Sequence, residues 1–157
     1  MRYRPILLVE DNVADEELAL RAFTKSHTLN QVTVARDGAE ALEHLFGNGT
    51  ADQAPPALIL LDLKLPKVDG LEVLRRIRAN ERTRLVPVVI LTSSRQEEDI
   101  LAGYQAGANA YVRKPMDFTD FVNAIGALCA FWLQLSEPPP DGMSSEEEDD
   151  EPPPRRD

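Results

Sequence analysis

Polar residues suited to a single reaction follow several short apolar runs of this 157-residue chain. Glu10 and Asp11 come directly after PILLV, and Asp62 comes directly after ALILL. Thr92 follows VPVVIL, and Lys114 stands two residues after NAYV. These residues provide carboxylates, a hydroxyl group and an ammonium group. Phosphoryl transfer requires mainly in-line positioning and neutralisation of charge, and such groups can supply both.

The acidic residues of this set can also bind a divalent cation. Magnesium prefers oxygen ligands and binds through few protein carboxylates. We expect Asp11 and Asp62 to bind Mg²⁺ directly and Glu10 to act through a water molecule, because the acids would otherwise repel one another. Asp62 is the candidate nucleophile, since carboxylates can form aspartyl phosphates. The metal and Lys114 would neutralise the phosphoryl oxygens, and the Thr92 hydroxyl would hydrogen-bond one of them.

Each of these residues, taken alone, also has a simpler explanation. Asp and Asn often cap helices, so an acid after a strand is commonly a cap or loop residue. A threonine at a strand end is usually structural, and a lysine before a proline can belong to a solvated turn. Their joint placement at strand ends is the feature that favours a shared site.

Alternating apolar runs and amphipathic stretches predict the elements that position this set. Five runs predict strands, namely Pro5–Val9, Gln31–Ala35, Ala57–Leu61, Val86–Leu91 and Asn109–Val112. Segments with helical periodicity lie after each strand, beginning near Asn12, Ala39, Gly70, Gln96 and Phe118. This alternation predicts an α/β fold with a doubly wound, five-stranded parallel sheet and right-handed crossovers. The carboxyl ends of such strands meet at one edge, where ligands bind.

Composition limits the classes of partner. The chain has 17 basic and 27 acidic residues, giving a net charge of −10, and a single cysteine. Nine of the acids and only two arginines lie in residues 136–157, so the remainder is close to neutral. We therefore expect no nucleic-acid or membrane partner and no disulfide framework. No run approaches the roughly 20 apolar residues of a membrane-spanning helix, and a cytoplasmic protein is expected.

The C-terminal part of the chain changes character after Leu135. We predict one folded domain over residues 1–135 and an acidic, proline-rich, disordered tail over residues 136–157, which has almost no apolar residues to bury. Phe131, Trp132 and Leu135 extend the last helix. They pack in the core or anchor a homodimer, either through this helix or through the face of the fourth helix, fifth strand and fifth helix.

Four segments together resemble the receiver domain of two-component response regulators. They are LLVEDN (7–12), LLDLKLPKVDG (60–70), VVILTSS (88–94) and YVRKP (111–115). The resemblance covers about residues 4–135. It implies a flavodoxin-like (βα)5 domain with strand order 2-1-3-4-5. It also implies phosphorylation of Asp62 by a histidine kinase.

The resemblance assigns further roles at the site. It implies that Mg²⁺ is bound by Asp11, Asp62 and the backbone carbonyl of Lys64. The peptide bond before Pro115 would be cis, which would aim Lys114 inward. Thr92 and Tyr111 would form the switch pair that remodels the face of the fourth helix, fifth strand and fifth helix.

A finer resemblance is to the small single-domain regulators that partner bacterial phytochromes. The insertion GNGTADQAPPA (47–57), the LPKVDG loop and the closing AFWLQL (130–135) are similar to that subgroup. The resemblance implies that the partner is a light-regulated histidine kinase.

Two alternatives to a phosphoacceptor switch remain open at this stage. The first is a phosphorylation-independent adaptor that uses the same fold only for binding. The second is a phosphatase with an aspartate nucleophile, but its general acid would be a second Asp two residues later, where this chain has Lys64. We therefore expect a phosphoacceptor in a phosphorelay and not an enzyme.

Overall fold

Five parallel strands form one sheet in the computed structural model, which describes residues 3–50 and 52–140. The strands are β1 (Ile6–Val9), β2 (Val32–Ala35), β3 (Leu58–Leu61), β4 (Val88–Thr92) and β5 (Ala110–Arg113). Their order in the sheet is β2-β1-β3-β4-β5, so β1 pairs with both β2 and β3. The predicted doubly wound fold and the predicted strand order are confirmed.

Strand burial follows from position in the sheet. The inner strands β1, β3 and β4 are buried along their whole length, whereas the edge strands β2 and β5 are mostly half-buried. Helices cover both faces, so the inner strands need apolar residues on both sides. This requirement explains their nearly continuous Val, Ile and Leu.

Helices alternate with the strands and begin at capping residues. They are α1 (Val13–Lys25), α2 (Gly38–Phe46), α3 (Gly70–Ala79), α4 (Glu97–Ala106) and α5 (Phe118–Cys129). The side chains of Asn12, Asp37 and Asp117 accept backbone N–H bonds at the starts of α1, α2 and α5. The helices α1 and α5 pack on one face of the sheet, and α2, α3 and α4 pack on the other.

Arg78, in the last turn of α3, connects that helix to the strands beside it. Its guanidinium donates to the carbonyl oxygens of Val86 at 2.7 Å and Gly107 at 2.8 Å, and to Asn109 Oδ1 at 2.8 Å. These acceptors lie just before β4 and just before β5. The contacts fix the end of α3 against the amino-terminal edge of the sheet, opposite the predicted site.

A π-helical turn, Ala130–Leu135, continues α5. Trp132 packs partly buried against the core, whereas Phe131 is 50% exposed and Leu135 is 74% exposed. Trp132 therefore packs against the core, whereas a homodimer contact through Phe131 and Leu135 stays a prediction. The buried Cys129 belongs to the core.

We expected no segment long and apolar enough to span a membrane, but the helical stretch Phe118–Leu135 is one. Its 18 residues are long and apolar enough to cross one by length and composition alone. Phe121 and Ile125 on its inner side are buried in the cluster that includes α1 and the sheet. The inner side of this helix therefore covers the sheet, although only 17% of the stretch is buried. Most of the predicted tail, residues 141–157, lies outside the described residues.

Candidate functional site

The carboxyl ends of four strands bring the predicted residues to one edge of the sheet. Glu10 follows β1, Asp62 follows β3, Thr92 ends β4 and Lys114 comes directly after β5. Parallel pairing in the order β1-β3-β4-β5 sets these ends side by side. Contacts among the side chains confirm that Glu10, Asp62 and Lys114 meet in space.

Three carboxylates form a candidate divalent cation site. Glu10, Asp11 and Asp62 each offer one oxygen, and these oxygens lie within 4.8 Å of one another. Glu10 and Asp62 are buried, whereas Asp11 is exposed. Backbone N–H groups orient the buried pair, from Asn12 to Glu10 Oε1 at 3.0 Å and from Lys64 to Asp62 Oδ1 at 3.2 Å. An all-oxygen set of this kind fits a hard divalent cation.

The Lys114 ammonium lies among three acidic side chains. Its Nζ is 2.7 Å from Glu10 Oε2, 2.8 Å from Asp62 Oδ2 and 2.9 Å from Asp15 Oδ2, and its side chain is only 8% exposed. Burial alone would lower the pKa of Lys114, but hydrogen bonds to Asp62 and Glu10 outweigh it and raise the pKa. The ammonium therefore stays charged.

Glu10 experiences the opposite balance. Burial raises the pKa of Glu10 to about 7, although Lys114 and the Asn12 N–H group both favour its charged form. The negative charge of nearby Asp62 adds to the increase. The site thus contains more negative charge than one ammonium neutralises, which is a further reason to expect a cation there.

The inward direction of Lys114 does not depend on a cis peptide bond. All peptide bonds of the described residues are trans, including the bond before Pro115, so the expectation of a cis bond is wrong for this structure. The backbone N–H of Lys114 donates to the Thr92 carbonyl oxygen at 2.7 Å. This bond extends the β4–β5 pairing by one residue and holds Lys114 beside the end of β4.

Thr92 is completely buried, and its hydroxyl oxygen has no hydrogen-bond partner among the residues that the structure describes. Buried hydroxyl groups almost always have a partner. An oxygen-bearing group that enters the site would provide one. The orphaned hydroxyl is therefore consistent with the predicted contact to a transferred phosphoryl group.

Tyr111 connects β5 to the loop that follows β4. Its hydroxyl donates to the Ser94 carbonyl oxygen at 3.1 Å, and burial raises the pKa of Tyr111. A Cβ atom at Gly103 of α4 would lie only 3.3 Å from its ring. Ser94 Oγ in turn bonds Asp99 Oδ2 at 2.5 Å. Tyr111 is thus half-buried between the site loop and α4.

The predicted contribution of the Lys64 carbonyl stays a prediction. What the structure places at Asp62 is the N–H group of Lys64. The loop that carries Lys64 is anchored further along, where Lys67 has a positive φ of 68° and its Nζ lies 3.3 Å from Asp37 Oδ2. The Gly38 N–H group also donates to the Pro66 carbonyl oxygen at 3.3 Å.

Asp15 is the site residue that the sequence analysis did not identify. It lies in the first turn of α1 and contacts Lys114 Nζ, yet it does not belong to the three-carboxylate cluster. A signal was available, because Asp15 stands three residues after Asn12, which caps α1, and so lies in the first turn of that helix. Strand-end reasoning missed it because it belongs to a helix.

Comparisons with known proteins agree with this geometry. The family model described as the response regulator receiver domain matches residues 6–126. Response regulator Rcp1 of Synechocystis sp. is 39% identical over 130 residues, which span 82% of this chain and 88% of Rcp1. A solved structure of Rcp1 is its Mn²⁺-bound form, with a TM-score of 0.79 and 38% identity over 87% of this chain and 99% of that one.

Two further solved structures are similar along most of the chain. The phosphorylated cyanobacterial phytochrome response regulator RcpA has a TM-score of 0.82 and 37% identity, covering 88% of this chain and 99% of its own. The bacteriophytochrome response regulator RtBRR is 51% identical with a TM-score of 0.70, covering 90% of this chain and 87% of its own.

Proposed function

The chain belongs to the response regulator receiver domain family, and from that membership we propose that Asp62 accepts a phosphoryl group from a histidine kinase. It is a receiver-domain response regulator homologous to phytochrome-associated regulators, for which phosphorylation signalling is the standard role. The observation that carries the proposal is the buried Asp62 carboxylate, which lies 2.8 Å from the Lys114 ammonium and within 4.8 Å of Glu10 and Asp11.

The proposed reaction transfers one phosphoryl group. A carboxylate oxygen of Asp62 forms a bond to phosphorus while the phosphorus–nitrogen bond of a phosphohistidine breaks, and the electron pair leaves on the imidazole nitrogen. Lys114 neutralises charge on the phosphoryl oxygens, and the Thr92 hydroxyl gains its missing hydrogen-bond partner there. Positioning and charge neutralisation account for most of the catalysis of such transfers.

We propose Mg²⁺ as the resident cation. Glu10, Asp11 and Asp62 would hold it, together with the backbone carbonyl of Lys64. When bound, it would neutralise phosphoryl charge that Lys114 alone cannot balance. The three-carboxylate cluster and its excess negative charge support the proposal, as does the Mn²⁺-bound form of the relative Rcp1.

Thr92 and Tyr111 form the proposed switch. A phosphoryl group on Asp62 would draw the Thr92 hydroxyl toward it, and Tyr111 would respond because both residues border the loop that contains Ser94. The surface of α4, β5 and α5 would then change and carry the signal. This surface or the C-terminal helix could also serve a homodimer.

The proposed partner is the histidine kinase of a bacterial phytochrome, because RcpA and RtBRR are described as phytochrome or bacteriophytochrome regulators. We further propose a cytoplasmic location, a folded receiver over residues 1–135 and a separate tail over residues 136–157. Receiver domains are generally phosphoacceptors and not enzymes, which we propose here too. The phosphorylation-independent adaptor is not favoured, because one similar regulator was crystallised in its phosphorylated form.

Phosphotransfer from a panel of purified histidine kinases tests this function. The panel includes a phytochrome kinase assayed in darkness and in light. We expect transfer to the wild-type chain, with the phytochrome kinase the fastest donor and its rate dependent on light. The Asp62→Asn variant is the matched control and should accept nothing. Transfer from none of the kinases, with each kinase shown to phosphorylate itself, would contradict the proposal.

A further inference from the structure

Asp15 occupies a place at the site that neither the cation cluster nor the switch pair explains. The ammonium of Lys114 has three protons and three acidic acceptors, at 2.7, 2.8 and 2.9 Å. Two of these acceptors, Glu10 and Asp62, belong to the three-carboxylate cluster. Asp15 is the remaining acceptor. It is therefore the acceptor that would stay available to Lys114 when a cation or a phosphoryl group competes for the other two.

The backbone fixes Asp15 in this position. It lies in the first turn of α1, where its N–H group donates to the Asn12 side chain at 3.0 Å. A carboxylate near a helix amino terminus interacts favourably with the unpaired N–H groups of the first turn. Its side chain is 27% exposed, so the charge is partly shielded from solvent yet reachable from it.

Asp15 also borders the space beside the buried ammonium. A cavity of about 290 Å³ is lined by Asp15, Ser93, Lys114, Pro115, Met116 and Phe118, among others. A phosphodonor that reaches Lys114 through this cavity passes the Asp15 carboxylate. Four carboxylates lie at the site: Glu10, Asp15 and Asp62 contact the ammonium, and Asp11 completes the cation cluster. With all four ionised, the ammonium and a divalent cation together balance three of these charges, and Asp15 is the carboxylate outside the cation cluster.

We propose that Asp15 is a positioning and selectivity residue of the phosphorylation site. It holds the Lys114 ammonium in place, and its negative charge disfavours phosphodonors of high negative charge relative to less charged ones. The inference rests on the proposed phosphorylation of Asp62. In that reaction an oxygen of Asp62 bonds to phosphorus, and the donor's leaving group departs with the electron pair of the broken bond.

The selectivity is measured with two small donors of different charge. Acetyl phosphate is a dianion at neutral pH and releases acetate. Phosphoramidate is a monoanion there and releases ammonia, its nitrogen being already protonated. For Asp15→Asn in Mg²⁺, we expect the ratio of the acetyl phosphate rate to the phosphoramidate rate to rise about three- to tenfold, the effect of one unit charge a few ångströms away in a hydrated site.

Two kinetic properties distinguish an effect of the Asp15 charge from a general disturbance of the site. The change should appear mainly in the donor concentration needed for half-maximal rate, and it should shrink at high ionic strength. Asp15→Glu keeps the charge and should keep the wild-type ratio. Glu17→Gln makes the same charge change at an exposed position of the same helix, and it should leave the ratio unchanged.

The positioning role has a readout that does not use phosphorylation. In the cation-free protein, the hydrogen-bonded ammonium of Lys114 should exchange its protons slowly enough to give a lysine Nζ signal by NMR. Asp15→Ala should accelerate that exchange several-fold, whereas Glu17→Gln should not change it. An unchanged exchange rate in Asp15→Ala would overturn the positioning role.

The outcomes distinguish this inference from the proposed function. A wild-type chain that neither donor phosphorylates would overturn both. A phosphorylated wild-type chain whose donor ratio is unchanged in Asp15→Asn, or changes equally in Glu17→Gln, would overturn the selectivity of Asp15 and leave phosphorylation of Asp62 standing.

Discussion

At the residue scale, the site is a buried imbalance of charge. One ammonium contacts three carboxylates, and both Lys114 and Glu10 are almost closed to solvent. Taking such charges out of water is costly, and only close pairing offsets the cost. The excess of carboxylates therefore favours binding of a cation. The free energy of unfolding should depend on pH and on whether that cation is bound.

Glu10 gives a pH dependence of known sign. Its pKa is raised by burial from 4.5 to about 7. Between these values the native state holds a proton that the unfolded state has released, so stability falls as the pH rises through this window and the loss is complete above it. We expect urea unfolding in EDTA to show this decline in the wild type. Glu10→Gln should remove that part of it, and parallel pH profiles for the two proteins would contradict the assignment.

Substitution of Lys114 should make the free energy of unfolding depend on the divalent cation. Lys114→Met keeps the aliphatic stem but leaves three carboxylates without their counter-ion, so in EDTA we expect a loss of about 3–5 kcal/mol in the free energy of unfolding. Millimolar Mg²⁺ should recover part of that loss. The control is Lys64→Met, because Lys64 is 68% exposed and pairs with Asp99 only at 3.6 Å. Its removal should cost at most about 1 kcal/mol, and equal losses in both variants would refute the account.

At the element scale, pairing at the sheet edge determines which residues meet. Most predicted strand bounds lie within one residue of the observed ones, because continuous apolar runs mark buried parallel strands. The predicted start of β4 at Val86 is two residues early. Pro87 has no N–H group for pairing, and its carbonyl alone accepts from Ile59. At β5, the Asn109 side chain accepts from Val88 N–H, and the strand begins at Ala110.

Arg78 connects α3 to the neighbouring strands, and its substitution tests how much this connection stabilises the fold. Its guanidinium holds the end of α3 against the starts of β4 and β5 through four oxygen acceptors. Arg78→Met leaves those acceptors without their charged donor, and we expect a loss of about 2–4 kcal/mol in chemical unfolding. Arg78→Lys should recover little of it, since an ammonium cannot reproduce the planar fork.

The control for Arg78 lies on the same helix. Arg76 is 58% exposed and pairs with Glu72 one turn away, so Arg76→Met should change the free energy of unfolding by less than about 0.5 kcal/mol. A loss as large in Arg76→Met as in Arg78→Met would show that the bridging contacts carry no special stability.

At the scale of the whole molecule, the fold and most of the site could be predicted from short local patterns. Glu10, Asp62, Thr92 and Lys114 were predictable because each lies at or just beyond a strand end. The contact of Asp15 with Lys114 was not predictable from strand ends, because it depends on how the start of α1 lies beside the end of β5. The trans bond before Pro115 was not predicted for a different reason. The expectation of a cis bond came from the family resemblance and not from the residues themselves.

The boundary between domain and tail is tested by truncation. In the described part of the chain, the core residues nearest the C-terminus are Trp132 and Leu133. Removing residues 141–157 should therefore leave the free energy of unfolding unchanged within about 0.5 kcal/mol. Truncation after Cys129 removes both core residues and should destabilise the domain. A large loss from the shorter deletion would show that the tail contributes to the fold.

Phosphorylation of Asp62 is tested most directly by the intact mass of the protein after incubation with Mg²⁺ and phosphoramidate. We expect the wild-type chain to gain the mass of one phosphoryl group, this mass to be lost on treatment with hydroxylamine, and Asp62→Asn to gain nothing. A wild-type chain that stays unmodified beside a receiver domain that the same donor phosphorylates, or an Asp62→Asn variant modified to the same extent, would contradict this expectation.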